Sequence, residues 1–201
     1  MTRRRLRYRS LASLQRDNRC CRACAEAGFS LESLPVFEGH LGQRAMILGQ
    51  APGALEGLER RPWRGRAGCT LRGWVALDEE AFYATFYCAS VTRCHPGKHP
   101  SGRGDRAPTP PELELCGFWR EWELRLLAPR LVLPVGGFAV RALLGSRWSL
   151  TAVVGERFSL GDALVIPLPH PSGASGWLNE PSNRLRLGRA LGLVRDALAA
   201  L

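Results

Sequence analysis

The stretch Ala45-Met46-Ile47-Leu48-Gly49-Gln50-Ala51-Pro52-Gly53 sets an apolar run directly against a Gly/Pro turn. The run reads as a buried strand and the turn as a loop facing solvent. In an open α/β sheet, the loops that leave the strand ends converge on one crevice, where ligands bind. Two further blocks follow apolar runs, Arg61-Pro62-Trp63 and His170-Pro171-Ser172. A Gly/Pro turn, an aromatic plate and a histidine meeting there can hold a flat, polar, hydrogen-bonding ring.

Working outward, four short apolar runs read as buried strands: Ala45–Leu48, Phe86–Val91, Leu131–Val135 and Leu164–Ile166. The gaps between them leave room for helices, the pattern of a parallel α/β sheet. Helical periodicity fills those gaps: Ala67, Leu71, Trp74 and Val75 share one face, and Leu115, Trp119, Trp122 and Leu126 another. Leu187, Leu191, Val194, Leu198 and Leu201 repeat the pattern near the end. Thr109-Pro110-Pro111-Glu112 reads as a capping box with proline opening the helix. The expected fold is a three-layer α/β sandwich, with a central four-stranded parallel sheet and helices on both faces.

Composition narrows the class. At 201 residues, without internal repeats, one domain is expected. No apolar run approaches the roughly 18 residues of a membrane span. The basic start Met1-Thr2-Arg3-Arg4-Arg5 lacks the apolar core of a secretion signal, which predicts a cytoplasmic protein. Lys+Arg of 28 against Asp+Glu of 18 gives a net charge of +10, almost all of it from arginine. Guanidinium forks match phosphate oxygens in pairs, so nucleic acid is the expected partner. The plain alternative is an arginine-rich genome and a solvated surface. Arg184, Arg186, Arg189 and Arg195 on the last helix fit that plainer account.

Seven cysteines without a secretion signal point to metal or redox chemistry. Cys21-Arg22-Ala23-Cys24 is a C-x-x-C, and Cys94 and Cys116 bracket a basic, Gly/Pro-rich loop carrying His95, Lys98, His99, Arg103 and Arg106. Four thiolates from three segments can close around zinc or a cubane iron–sulfur cluster, and spacing alone does not choose between them. Cys20 is an alternative to Cys21. Cys88, in a strand, and Cys69, on a helix, read as small buried hydrophobes.

In their order along the chain, these motifs resemble the uracil-DNA glycosylase superfamily, most closely its family-four type, whose members carry a four-iron, four-sulfur cluster. The resemblance runs from Cys21/Cys24 through Gly49–Gly53, Arg61-Pro62-Trp63 to Gly68, Ser90-Val91-Thr92-Arg93-Cys94, Pro108–Cys116 and Leu133–Gly145 to His170-Pro171-Ser172. It implies a 4Fe-4S cluster on Cys21, Cys24, Cys94 and Cys116. It also implies monofunctional base excision from DNA, with His170 and Gln50 in catalytic positions. Ala51, Pro52, Gly53, Trp63, Ser90 and Ser172 would bind substrate, with Trp63 and His170 clamping the flipped base.

Trp63 stands where the family usually carries phenylalanine, and two positions depart from the family pattern substantially. Gln50 stands where the family carries glutamate, and Ser90 where it carries the base-reading asparagine. A glutamine can orient a water but not deprotonate it; general-base help is worth about 10²–10⁴-fold. A serine hydroxyl makes fewer directional bonds than an amide, so another deaminated base becomes conceivable. Lys98, Arg103 and Arg106 would face phosphates, and Trp177 or Leu178 would wedge the duplex. The alternative for Trp177 is packing its loop onto the final helix. The resulting expectation is a monomeric, nucleoid-associated glycosylase acting on uracil or a related base. The competing readings are a lesion-binding protein of the same fold that has lost catalysis, and a zinc-stabilised basic module.

Overall fold

The computed structural model describes residues 4–102, 104–172 and 176–201. The central sheet has five strands in the order β2-β1-β3-β5-β4: β1 (Ala45–Gly49), β2 (Phe86–Ser90), β3 (Leu131–Pro134), β4 (Phe158–Leu160) and β5 (Ala163–Val165). β1 lies between β2 and β3 and is parallel to both; β3 is parallel to β5. The four expected strands are therefore present, within a residue or two of their expected ends. The correction is β4, a fifth strand antiparallel to β5 at the sheet edge. Its residues are half-buried to exposed, so it lacks the apolar run by which the other strands announce themselves.

The side chains of β1 alternate between two cores. Ala45 and Ile47 face a cluster with Leu71, Phe82, Leu187 and Val194, whereas Met46 and Leu48 face one with Leu11, Leu14, Trp119 and Ala139. The first cluster is covered by α4 (Arg66–Trp74), α5 (Glu79–Thr85) and α9 (Pro181–Ala199). The second is covered by α1 (Leu11–Arg19), α6 (Pro110–Leu127) and α7 (Gly137–Leu144). This is the expected three-layer arrangement. Burial on both faces explains why β1, β2 and β3 read as continuous apolar runs. Short helices α2 (Ala23–Glu26), α3 (Ala54–Glu59) and α8 (Leu150–Val153) complete the chain.

The capping box forms as the sequence predicts: the Glu112 carboxylate accepts the Thr109 N–H at 2.7 Å and the Thr109 hydroxyl at 2.9 Å. Inside the second core, Arg93 pairs with Glu123, both essentially inaccessible, and Tyr87 donates to the same carboxylate at 3.0 Å. Among the described residues, no helix is long and apolar enough to cross a membrane.

Candidate base-binding cleft and cysteine site

The chain order reverses about β1, so β1 and its neighbours open a crevice at their carboxyl ends. A cleft of about 630 Å³ lies there. It gathers Gln50, Ala51, Pro52 and Gly53 after β1, Trp63, Ser90 at the end of β2, and His170 with Ser172 after β5. The cleft thus brings together all eight residues assigned to catalysis and substrate binding from sequence.

His170 packs against Gly136, whose left-handed φ of 86° favours glycine; an added Cβ would stand 3.4 Å from that of His170. Nδ1 of His170 lies 2.8 Å from the Ser172 hydroxyl and accepts the Ser172 N–H at 3.2 Å. A backbone amide can only donate, so in the neutral ring the proton sits on Nε2. Burial pushes the imidazole below its ordinary value, partly opposed by Glu56, which favours this neutral form.

Trp63 is buried and takes the left-handed conformation at φ 60°. That conformation costs a non-glycine residue about 1–3 kcal/mol and must be held by its surroundings. Arg72 donates to the Trp63 carbonyl at 2.9 Å, and the Tyr83 hydroxyl donates to the carbonyl of Pro62. Arg61 stacks 3.8 Å from the Tyr83 ring centre and forks onto Glu38 at 2.8 and 3.2 Å. The indole edge lies beside Gly49 and Ser90: a Cβ on Gly49 would meet Cζ2 at 3.0 Å and the serine hydroxyl at 3.2 Å. Its Nε1 is buried with no hydrogen-bond partner among the described residues. The rings of Trp63 and His170 stand 6.2 Å apart, tilted by 37°. A ring held between two plates needs about 7 Å, two contact distances. The pair therefore forms adjoining walls rather than the expected clamp.

Two cleft carboxylates, Glu56 and Asp105, carry no motif and escape sequence reasoning. Glu56 accepts the N–H of Gly53 at 3.2 Å through one oxygen and that of Gly65 at 2.9 Å through the other. Asp105 reaches the cleft from the basic loop, and Arg66 stands exposed at its mouth. The basic loop is pinned as a small hairpin by the Lys98–Asp105 bridge, with the His99 N–H on Gly104 and the Arg106 N–H on Gly97.

The residues expected at phosphates are placed unevenly. Lys98 is exposed but pairs with Asp105 at 2.8 Å. Arg106 is committed to Glu112 through two bonds of 2.8 and 2.7 Å. Arg103 lies outside the described residues, as does the 173–175 stretch of the expected wedge loop. Trp177 and Leu178 form a 3-10 turn half-buried against the first core, and the Trp177 indole donates to Thr151 at 2.9 Å. Asn183 and Arg184 of α9 bond their carbonyls, which is the packing alternative for this turn.

The cysteines divide cleanly. Cys21, Cys24, Cys94 and Cys116 are buried, while Cys20 is exposed, which separates it from the group. The four thiols lie within electrostatic reach of one another. The Cys24 thiol is pushed far up by its hydrogen bond to Cys116, and burial lifts Cys94 to about 12. Cys116 moves down, held by Cys24 and by the backbone and guanidinium of Arg93. Trp119 donates to the Cys21 sulfur at 3.3 Å and the Arg93 N–H to that of Cys116 at 3.4 Å. Among the described residues, no three His, Cys, Asp or Glu side chains draw together closely enough to hold a single metal ion. Cys88 is buried as expected. Cys69 is a correction: it is exposed, because it falls on the solvent side of α4 opposite Leu71.

Residues 37–188 match the model of the uracil DNA glycosylase superfamily, and the chain belongs to that superfamily. Within it, the chain is similar to the type-4 uracil-DNA glycosylase of Thermotoga maritima, 30% identical over 168 residues, covering 83% of this chain and 82% of the relative. The type-4 uracil-DNA glycosylase of Sulfurisphaera tokodaii is 24% identical over 177 residues, covering 82% and 76%.

Proposed function

We propose that the protein is a monofunctional DNA-repair glycosylase that hydrolyses the N-glycosidic bond of uracil, or a related deaminated base, leaving an abasic site. The observation that carries this reading is the convergence of the Gln50–Gly53 turn, Trp63, Ser90 and His170 on one cleft at the sheet's carboxyl edge, in a chain of this superfamily.

A base stacked in DNA must be extruded before its sugar bond is reached. Trp63 supplies an apolar wall, and the turn at Ala51, Pro52 and Gly53 lets backbone approach the ring. Bond cleavage leaves negative charge on the departing base, and the Nε2–H of His170 donates a hydrogen bond to a base carbonyl, on the logic of an oxyanion hole. Ser90 reads the base edge, and Gln50, whose amide has no side-chain partner among the described residues, orients water.

The residues present fit a 4Fe-4S cluster on Cys21, Cys24, Cys94 and Cys116. Burial and neighbouring thiols raise Cys24 and Cys94, which a bound iron centre would relieve, and the sulfurs of Cys21 and Cys116 already receive N–H donors. In such a cluster each thiolate would bind its own iron. When bound, the cluster would supply covalent ties between the N-terminal segment and the loop after β2. Residues 1–201 act as one such domain, as a cytoplasmic monomer on DNA.

The test uses labelled oligonucleotides carrying a single uracil, hypoxanthine or mismatch, with alkali cleavage after incubation. Abasic product from the uracil strand is expected. No product from any strand, with the cluster intact and DNA bound, would leave a lesion-binding protein instead. A colourless, iron-free protein binding zinc would overturn the cluster assignment.

A further inference from the structure

The turn that would supply a water-activating carboxylate carries Gln50, an amide that accepts no proton at neutral pH. Two carboxylates nevertheless line the same cleft, Glu56 and Asp105. Both oxygens of Glu56 are occupied by the backbone N–H groups of Gly53 and Gly65, so Glu56 is a brace for the two loops.

Asp105 is arranged differently. Its Oδ1 lies 2.8 Å from Lys98 Nζ and 3.1 Å from His95 Nε2. Behind it, Nδ1 of the buried His95 lies 3.3 Å from Glu32. Its Oδ2 points instead toward the turn, 3.4 Å from where a Cβ on Gly53 would stand. One oxygen is thus anchored by the Lys98 ammonium, with the buried His95 ring beside it, and the other is left to the cleft within a few ångströms of the Gln50–Gly53 turn.

We infer that Asp105, carried into the cleft by the basic hairpin, is the catalytic base that deprotonates the hydrolytic water, with Gln50 orienting that water. The inference rests on the glycosylase reading above. The water oxygen bonds to the sugar C1′, and one water proton passes to Asp105 Oδ2. The electron pair of the C1′–N bond leaves with the base, whose anion accepts from His170 Nε2–H and is later protonated by solvent. Lys98 is the positioning residue: its ammonium holds Oδ1 so that Oδ2 faces the turn, with the His95 ring packed beside the same oxygen.

The experiment is single-turnover excision from a uracil oligonucleotide, with DNA affinity measured separately. Asp105→Asn should lower the rate by about 10²-fold, the scale of general-base help, with affinity for the same DNA within a few-fold of wild type. Adding Gln50→Glu to Asp105→Asn should recover at least about tenfold, since a carboxylate returns to the turn beside the same water. Should Asp105→Asn fail to fold, Asp105→Ser with added formate serves, because a small carboxylate in the vacated space restores the rate in a concentration-dependent way. An Asp105→Asn rate within threefold of wild type overturns the inference, as does a loss confined to DNA affinity or absence of rescue by both Gln50→Glu and formate. These outcomes leave the glycosylase reading standing, provided the wild type excises a base. A wild type that excises nothing overturns that reading, and this inference with it.

Discussion

Gly68 packs so closely beneath Trp63 that a Cβ on the glycine would stand 1.8 Å from the tryptophan's carbonyl oxygen. The first turn of α4 therefore seats on the backbone of the cleft wall, and only a residue without a side chain permits it. Gly68→Ala must displace either the helix or Trp63. Overpacking of this kind costs about 1–3 kcal/mol, read as a lower urea midpoint. Single-turnover excision should fall as well, because the displaced carbonyl loses its bond to Arg72.

The contact between Ser172 and His170 makes a second expectation. His170→Ala removes the Nε2 donor, and loss of one such donor costs about 10²–10³-fold in the single-turnover rate. Ser172→Ala keeps the backbone N–H that fixes the tautomer, so its rate should stay within about tenfold of wild type, well above the oxyanion-donor loss. Equal losses in the two variants would show that the serine hydroxyl, not the backbone, sets the ring.

Much of this was legible in the sequence because β1, β2 and β3 are buried on both faces and the Thr109–Glu112 box has a local signature. The cleft residues were legible because Gly49–Gly53 and His170–Ser172 are contiguous motifs at strand ends. Glu56 and Asp105 were not, since a single carboxylate has no pattern until the fold brings it beside a distant turn. The commitment of Arg106 to Glu112 was hidden for another reason: composition counts charges but not their partners. Phe158–Leu160 escaped because an exposed three-residue edge strand buries too little to leave an apolar run.

Neighbouring cysteines offer a clean comparison. With the proposed cluster on Cys21, Cys24, Cys94 and Cys116, Cys21→Ser should abolish the visible iron–sulfur absorbance and lower iron content, whereas Cys20→Ser should leave both unchanged, because Cys20 is exposed and outside the thiol group. The measurement is absorbance with iron analysis on freshly purified protein. Cys94→Ser should also loosen the basic loop; a variant that stays folded and binds DNA normally would show that the cluster does not brace it.

Acid should attack the protein at Glu112. The Arg106 guanidinium beside it holds its carboxyl down at about 2, against an ordinary value of 4.5. The folded value is the lower one, so the stability it contributes is present above the unfolded value near 4.5 and is lost as pH falls from there to about 2. For this nearly inaccessible group the difference corresponds to about 3 kcal/mol. Glu112→Gln should be less stable at neutral pH and should flatten that acid slope in denaturation curves.

The buried Arg93–Glu123 pair is the second electrostatic weak point. Glu123→Gln leaves a guanidinium charge uncompensated inside the second core, a change that costs about 3–5 kcal/mol. Because the backbone of Arg93 also donates to Cys116, retention of the proposed cluster on dilution should fall together with the urea midpoint.

The two-handed grip of Glu56 has a consequence for thermodynamics. Residues 53 and 65 are the N-caps of α3 and α4, and one carboxylate ties both backbones. The ordering of the cup is then charged to folding and not to each encounter with DNA, so capture of an extruded base carries little conformational-entropy penalty. Glu56→Gln, which exchanges one acceptor oxygen for a donor, would shift that penalty back to binding. Its signature would be a more unfavourable binding entropy in calorimetry.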